Sequence, residues 1–425
     1  MSIENSFEKF CERIQFDNND IETTCKEITK KLNKHYYGIT GDESSHMYYV
    51  GSIGRCTAVK NTSDVDIIFV LPDDIFSKYN SYETNGQSAL LQDVKEVLQE
   101  RYSKTTIRGD GQVVVIAFDQ FTVELVPAFL QDDKSFKYPD THDGGSWKTT
   151  KPLSEQIAAQ KCDDYSNGIY RDFCRLVRVW KNEQGFTFGG LLIDSLVYNV
   201  FCNNNYFSDC DYSNYYSIFI EVLSYLKKLD KNQTYWHALG SNQIVFSKSS
   251  SFIAKAEHAY DILSNTNTYS DREDALVEIL GKSFPHDDKR ECSPEINTEE
   301  FIENMFPVDI RYNLLIDCIV SQNGFRDFSL RHFLLGKQLL RHNKQLSFSI
   351  SNCTVPRPYD IYWKVRNVGP IAIQKKMIRG QICKTNSSNH SERTNFQGPH
   401  FVECYIVKNG VCVARDRIDV PIGCC

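Results

Sequence analysis

Two short stretches hold the residues whose types and spacing could do chemistry: Gly51-Ser52-Ile53-Gly54-Arg55 and, a few residues on, Ser63-Asp64-Val65-Asp66-Ile67-Ile68. Side chains alternate faces along a strand, so a strand that sends Val65 and Ile67 into a core turns Asp64 and Asp66 together to the other side. Two carboxylates on one face can hold Mg²⁺, which takes oxygen ligands and shares them with substrate phosphates. The Gly51-Ser52 turn upstream leaves backbone N–H groups and a hydroxyl to cradle phosphate oxygens. A third acid, Glu124, lies on the later run Thr122-Val123-Glu124-Leu125-Val126, again between apolar neighbours that face the other way. Asp119, in the turn before that run, is the alternative third ligand. Three acids beside a phosphate turn describe nucleotidyl transfer with two metal ions, one activating the attacking hydroxyl and the other neutralising the pyrophosphate leaving group. An Asp-x-Asp pair alone more often marks a solvated strand, and only the combination carries the assignment. No Walker-type lysine loop is present, so phosphate binding of the ATPase kind is excluded.

The elements around these residues follow from periodicity. Ile21, Cys25, Ile28 and Leu32 recur at three and four residues, which predicts a helix over Ile21 to Tyr37. Val65 to Leu71 is an apolar strand stopped by Pro72, followed by a turn-rich stretch from Asp73 to Gly86 and a helix over Leu90 to Tyr102. Gln112 to Phe118 and Phe121 to Val126, joined by Asp119-Gln120, predict an antiparallel hairpin. Helical periodicity then dominates: Tyr170 to Gln184, Leu191 to Cys202, Tyr215 to Leu229, Ser250 to Leu263 and Arg272 to Gly281. Arg290 to Glu300 is polar and charged, a linker by composition. Helical patterns resume over Arg311 to Ser321 and Ser329 to Arg341. From Leu346 the period shortens to two, predicting strands at Asp360 to Asn367, Gln374 to Cys383, Phe401 to Lys408 and Val411 to Arg417, the last two joined at Asn409-Gly410.

Composition bounds the classes. At 425 residues with 41% apolar and 24% charged residues, the chain has material for two or three domains and is neither disordered nor fibrous. A net charge of −7 argues against coating nucleic acid with the whole surface. No apolar run approaches the ~18 residues of a membrane span, and Met1 to Phe10 carries Glu4 and Glu8 where a secretory signal would be basic and then apolar. The expectation is a soluble cytoplasmic protein. Fifteen scattered cysteines without paired CxxC spacing read as reduced thiols, not as a disulfide framework or a zinc site.

The pattern GSIGRCTAVKNTSDVDIIF followed by TVELVPAF resembles the nucleotidyltransferases that include cyclic GMP-AMP synthase and oligoadenylate synthase, and among them the bacterial cyclic-oligonucleotide synthases. The likeness continues through Gly145-Ser146-Trp147 and the helix ending Val179-Trp180-Lys181, and spans most of residues 20 to 285. It implies an α+β fold: a polymerase-beta-like nucleotidyltransferase core over 1–150, a helical nucleotide-binding module over 151–300, and a C-terminal domain over 301–425. It also implies Gly51, Ser52, Lys181 and Ser195 as nucleotide-binding residues, the last two gripping the incoming triphosphate. Asp64, Asp66 and Glu124 become the catalytic and metal-binding residues, for Mg²⁺ with Mn²⁺ as a substitute. Glu124 departs from the aspartate of many relatives. The implied activity is synthesis of a cyclic di- or trinucleotide from ATP, with GTP as the second candidate, for a downstream effector. A linear-oligoadenylate or RNA-tailing enzyme and a catalytically silent nucleotide or RNA sensor are the readings left open.

The stretches Pro358 to Asn367, Arg379-Gly380-Gln381 and Gly398 to Tyr405 resemble the adenylyl/guanylyl cyclase and SMODS C-terminal sensor domain, found beside such synthases in bacterial antiphage operons. Residues 356–425 hold 11 Lys and Arg against 5 Asp and Glu. That charge suits an anionic ligand or an acidic regulatory protein, with Lys364, Arg366, Lys375, Lys376, Arg379 and Lys384 expected on one basic face. Tyr362, Trp363 and Tyr405 are expected in the core. The Pro421-to-Cys425 tail permits covalent attachment to a target of the kind some relatives undergo.

Overall fold

The computed structural model describes residues 2–423 apart from 18, 61, 203–204, 248, 286–298, 337, 342–343, 369–371, 373, 375–377, 386, 395–397 and 399. The chain forms two compact units, one from the described residues of 1–180 and 188–286, the other from those of 181–187 and 287–425.

The first unit opens with α1 (Ile3–Ile14), whose Ser2 cap accepts from the Asn5 N–H, and α2 (Asn19–Tyr37), which buries Ile21, Cys25, Ile28 and Leu32 at the predicted spacing. β1 (Met47–Tyr49) leads to the short helical turn α3 (Gly51–Gly54) and then β2 (Asp64–Val70). The stretch read as turns contains a helix, α4 (Asp73–Asn80): it follows Pro72 and places Asp73 and Asp74 in its first turn, where carboxylates favour the positive helix end. After α5 (Gly86–Gln99) come β3 (Thr106–Asp110), β4 (Val113–Ala117), β5 (Thr122–Leu130), β6 (Phe136–Asp140) and β7 (Ser146–Thr150). The sheet runs β1-β2-β5-β4-β3, with β6 on β5 and β7 on β6. β4 and β5 form the expected antiparallel hairpin, whereas β2 and β5 are parallel. Parallel neighbours require a long crossover, here supplied by α4, α5 and the β3–β4 hairpin.

The sheet's two faces differ. Val65, Ile67 and Phe69 of β2 and Val123 and Leu125 of β5 pack on Ile28 and Leu32 of α2 and on Leu90, Val94 and Leu98 of α5. Each such side chain contributes roughly 1.5–3 kcal/mol on burial, which fixes the register that holds the alternate residues outward. The remaining helices are α6 (Pro152–Tyr165), α7 (Ile169–Glu183), α8 (Gly190–Cys202), α9 (Tyr215–Lys227), α10 (Ser251–Ser264) and α11 (Tyr269–Leu280), with a hairpin of β8 (Tyr235–His237) and β9 (Ile244–Phe246) between α9 and α10. α11 starts at a capping box in which Thr268 and Asp271 satisfy each other's backbone N–H groups.

In the second unit the helical reading of Arg311 to Ser321 is corrected, and that of Ser329 to Arg341 holds for one short segment. β10 (Leu314–Ser321) is a strand that buries every second residue, and among the described residues of this stretch only Leu330–Leu334 is helical, as α12, directly after β11 (Phe328–Ser329). The run Leu314-Leu315-Ile316-Asp317-Cys318-Ile319-Val320 is apolar on both parities, so periodicity alone could not separate strand from helix. β12 (Gln345–Cys353), β13 (Asp360–Asn367), β14 (Arg379–Thr385), β15 (Asn389–Arg393), β16 (His400–Lys408) and β17 (Val411–Val420) complete two antiparallel sheets, β11-β10-β12-β15 and β14-β13-β16-β17. They share one core in which Ile316, Cys318, Val320, Trp363, Val402 and Cys404 meet. Asn409 and Gly410 both have positive φ, as the two-residue β16–β17 turn demands. Tyr362, Trp363 and Tyr405 are buried as expected. Most of the linker assigned to Arg290–Glu300 lies outside the described residues.

Candidate active site

Asp66 and Glu124 are register partners across the parallel β2–β5 pair, and Asp64 lies opposite Thr122. In a parallel ladder partnered residues project to the same face, so the three acids stand together on the side away from α2 and α5. All three are part-buried. Asp119 is exposed in the β4–β5 link, off this strand face. Among the described residues no three acidic, histidine or cysteine side chains are yet closed around a common point for an ion.

The Gly51–Ser52 turn lies against this face. Val50 N–H donates to the Asp66 carbonyl at 3.0 Å, which seats the start of the turn on β2. Gly51 has φ +61°, and a Cβ there would collide with the Asp66 carboxylate, so glycine is required both for backbone conformation and for close approach. The first N–H groups of a helical turn have no acceptor within it, and α3 presents that end beside Asp66. Among the described residues nothing engages the Ser52 hydroxyl, while its carbonyl accepts from Thr57 N–H at 2.9 Å. Gly54 is equally constrained: a Cβ would strike the Tyr49 carbonyl and the Gln156 amide, which are hydrogen-bonded to each other at 2.8 Å.

A buried ion cluster holds the turn from behind. Arg55 donates through Nε to Asp194 Oδ2 at 2.7 Å and through Nη1 to Glu155 Oε2 at 3.3 Å. Asp194, fully buried, also accepts from Thr57 Oγ1 at 2.8 Å and from both Nη1 and Nη2 of Arg178. Burial alone would push the Asp194 carboxyl up, but Arg178 and Arg55 beside it hold it at about 2. Arg171 and Arg175 of α7 donate to the carbonyls of Arg55 and Cys56 at 3.2 and 2.7 Å. Residues 55–57 are thus fixed by four side chains from α6, α7 and α8. Sequence reasoning missed this cluster, although Asp194, the one charge in the largely apolar stretch Leu191 to Val200, was its one readable sign.

Two residues that the resemblance assigned to the triphosphate are otherwise engaged. Lys181 is 7% exposed, and its amine pairs with Asp309 at 2.9 Å and donates to the Ile310 carbonyl at 2.7 Å, all within the second unit. Ser195 is 1% exposed; its hydroxyl donates to the Leu191 carbonyl and accepts from Leu239 N–H. Both side chains are engaged internally in this structure. The expected basic face is also corrected. Lys364, 3% exposed, pairs with Glu299 and Glu403; Arg366 pairs with Glu299, Arg379 with Glu392, and Lys384 with Asp360. Lys375 and Lys376 lie outside the described residues. Glu299, from outside residues 356–425, draws Lys364 and Arg366 inward, while Glu403, Glu392 and Asp360, all within that stretch, pair with Lys364, Arg379 and Lys384.

A parallel strand pair carrying three acids, with a glycine-dependent turn against one of them, defines a nucleotidyltransferase of the polymerase-beta-like α+β kind. Residues 1–162 match the Second Messenger Oligonucleotide or Dinucleotide Synthetase (SMODS) domain, and residues 296–423 match the Adenylyl/Guanylyl and SMODS C-terminal sensor domain (AGS-C). The two matches give a SMODS nucleotidyltransferase domain followed by an AGS-C domain, which makes the chain a nucleotidyltransferase of the kind that makes cyclic nucleotides. Its fold is similar to that of CdnC from E. coli MS115-1, solved in complex with HORMA-deltaN (16% identity, TM-score 0.51, 67% of this chain and 98% of that chain covered) and with ATP (15% identity, TM-score 0.50, 67% and 99% covered). No curated protein matches the chain. Among the described residues no helix is long and apolar enough to cross a membrane.

Proposed function

We propose that this enzyme joins ATP, with GTP as the second candidate substrate, into a cyclic di- or trinucleotide second messenger that acts on a downstream effector in cytoplasmic antiphage signalling. The observation that carries the reading is the register of Asp66 with Glu124 on one sheet face, with Gly51 seated against Asp66. The donors are all carboxylate oxygens, which suits Mg²⁺, or Mn²⁺ in its place. Asp64, Asp66 and Glu124 would hold the ions; when bound, these neutralise the triphosphate and ease deprotonation of the attacking ribose hydroxyl. The N–H groups of the α3 turn and the Ser52 hydroxyl hold the donor phosphates, and the Arg55–Asp194 cluster keeps that turn in place. Residues 1–150 supply the chemistry, 151–300 the nucleotide-binding helices, and 301–425 the sensor. The similar E. coli MS115-1 structure with ATP supports a nucleotide substrate.

The test is direct. Purified protein with Mg²⁺ and mixed nucleoside triphosphates should give a phosphatase-resistant product whose mass is that of a ring, and Asp64→Ala with Asp66→Ala should lower its formation by roughly 10³-fold or more. A product of linear mass would favour the tailing enzyme, and none under any nucleotide mixture would favour the silent sensor. Full activity of the double variant would place the chemistry at other residues.

A further inference from the structure

Away from the carboxylate face, two thiols stand together. Cys162 lies in the last turn of α6 and Cys202 ends α8, and their Sγ atoms are 3.9 Å apart, although 40 positions separate them in the chain. We propose that Cys162 and Cys202 form a dithiol site that a low-molecular-weight disulfide closes into an intramolecular disulfide bond.

The environments of the two thiols set the order of events. Cys202 is exposed and Cys162 is 5% exposed, so only Cys202 meets a reagent from solvent. Its thiolate attacks one sulfur of glutathione disulfide; a Cys202–glutathione bond forms, the reagent's S–S bond breaks, and one glutathione leaves as thiolate and takes up a proton from water. Cys162 then gives its proton to solvent and attacks Cys202 Sγ, releasing the second glutathione as the protein disulfide forms. Two protein thiols are oxidised and one disulfide is reduced to two thiols, with no other reactant. Burial pushes the Cys162 thiol up, which makes the second displacement the slower one. The sulfurs must come about 1.9 Å closer to reach bonding distance, a movement that side-chain rotation at two residues can share. The bond would tie together the helices that supply Glu155 and Asp194 to Arg55.

The experiment uses the full chain incubated with glutathione disulfide, then alkylated with iodoacetamide under denaturing conditions and digested. A cross-linked peptide joining residues 162 and 202 is expected, together with a rise in Tm of roughly 5 °C that dithiothreitol reverses. Cys202→Ser and Cys162→Ala should each abolish both signals. Three outcomes overturn the proposal: both thiols still alkylated after treatment, a lasting glutathione adduct on Cys202 with Cys162 still alkylated, or either cysteine joined to a different partner.

Discussion

Both compact units bury ions, and they use them to different ends. In the first, Arg55, Arg178, Glu155 and Asp194 fix residues 55–57 beside the carboxylate face. In the second, Lys364 and Arg366 share Glu299, and Glu403 receives both Lys364 and the Tyr405 hydroxyl, inside a β fold that the description of its family calls a sensor. One network positions a turn; the other neutralises charges that composition alone would have put on the surface. A local count of Lys and Arg therefore says little about surface potential where carboxylates distant in sequence fold in against them.

The contrast can be broken or sharpened by measurement. The largest effect belongs to Asp194→Ala, which strands Arg55 and Arg178 together: urea unfolding of the first unit should lose about 3–5 kcal/mol. Nucleotide affinity in whatever Asp194→Asn protein folds should fall with it, because the Ser52 turn loses its backing. A loss below about 1 kcal/mol for Asp194→Ala would mean that the cluster is not the keystone. Next, Lys364→Met should cost about 3 kcal/mol in the second unit by leaving Glu299 and Glu403 undercompensated, whereas Lys384→Glu on the surface should leave the unfolding midpoint unchanged. Equal effects from the two lysines would restore the basic-face reading.

Acid separates the units further. Burial holds His400 down at about 4, below its ordinary 6.5, so the folded second unit resists protonation and stability falls as pH drops below 6.5. About 2 kcal/mol should be lost by pH 5, and His400→Leu should flatten that slope. Asp194 is held at about 2 against an ordinary 3.8, so its contribution is complete above pH 4 and shrinks only below that. The first unit should lose about 1 kcal/mol from this group by pH 3, the smallest of these effects, and domain-resolved unfolding curves would read the two windows separately.

What the sequence revealed depended on the kind of signal. β2, the β4–β5 hairpin and the amphipathic helices were legible because their apolar spacing is unambiguous, and the turn at Asn409-Gly410 because few residue pairs tolerate its backbone. β10 was not, since Leu315 and Ile319 are apolar on its outer face and mask the period of two. At the site, the types and spacing of Gly51, Ser52, Asp64, Asp66 and Glu124 sufficed to nominate them. Their support did not show: Arg55 meets Asp194 and Glu155 across more than 90 residues, and no local pattern encodes such a meeting. Lys181 and Ser195 illustrate the reverse, a position on a helix that matches a pattern while its polar atoms are already bonded.

The parallel pairing of β2 with β5 has a consequence for the chain while it is being made. Asp64 and Asp66 leave the ribosome early, yet their acidic neighbour arrives only after the intervening helices and hairpin have been synthesised and the crossover has closed. An interrupted product ending between Ile67 and Phe121 would hold the Gly51–Ser52 turn and two of the acids without the third, and under the proposed function would make no cyclic nucleotide.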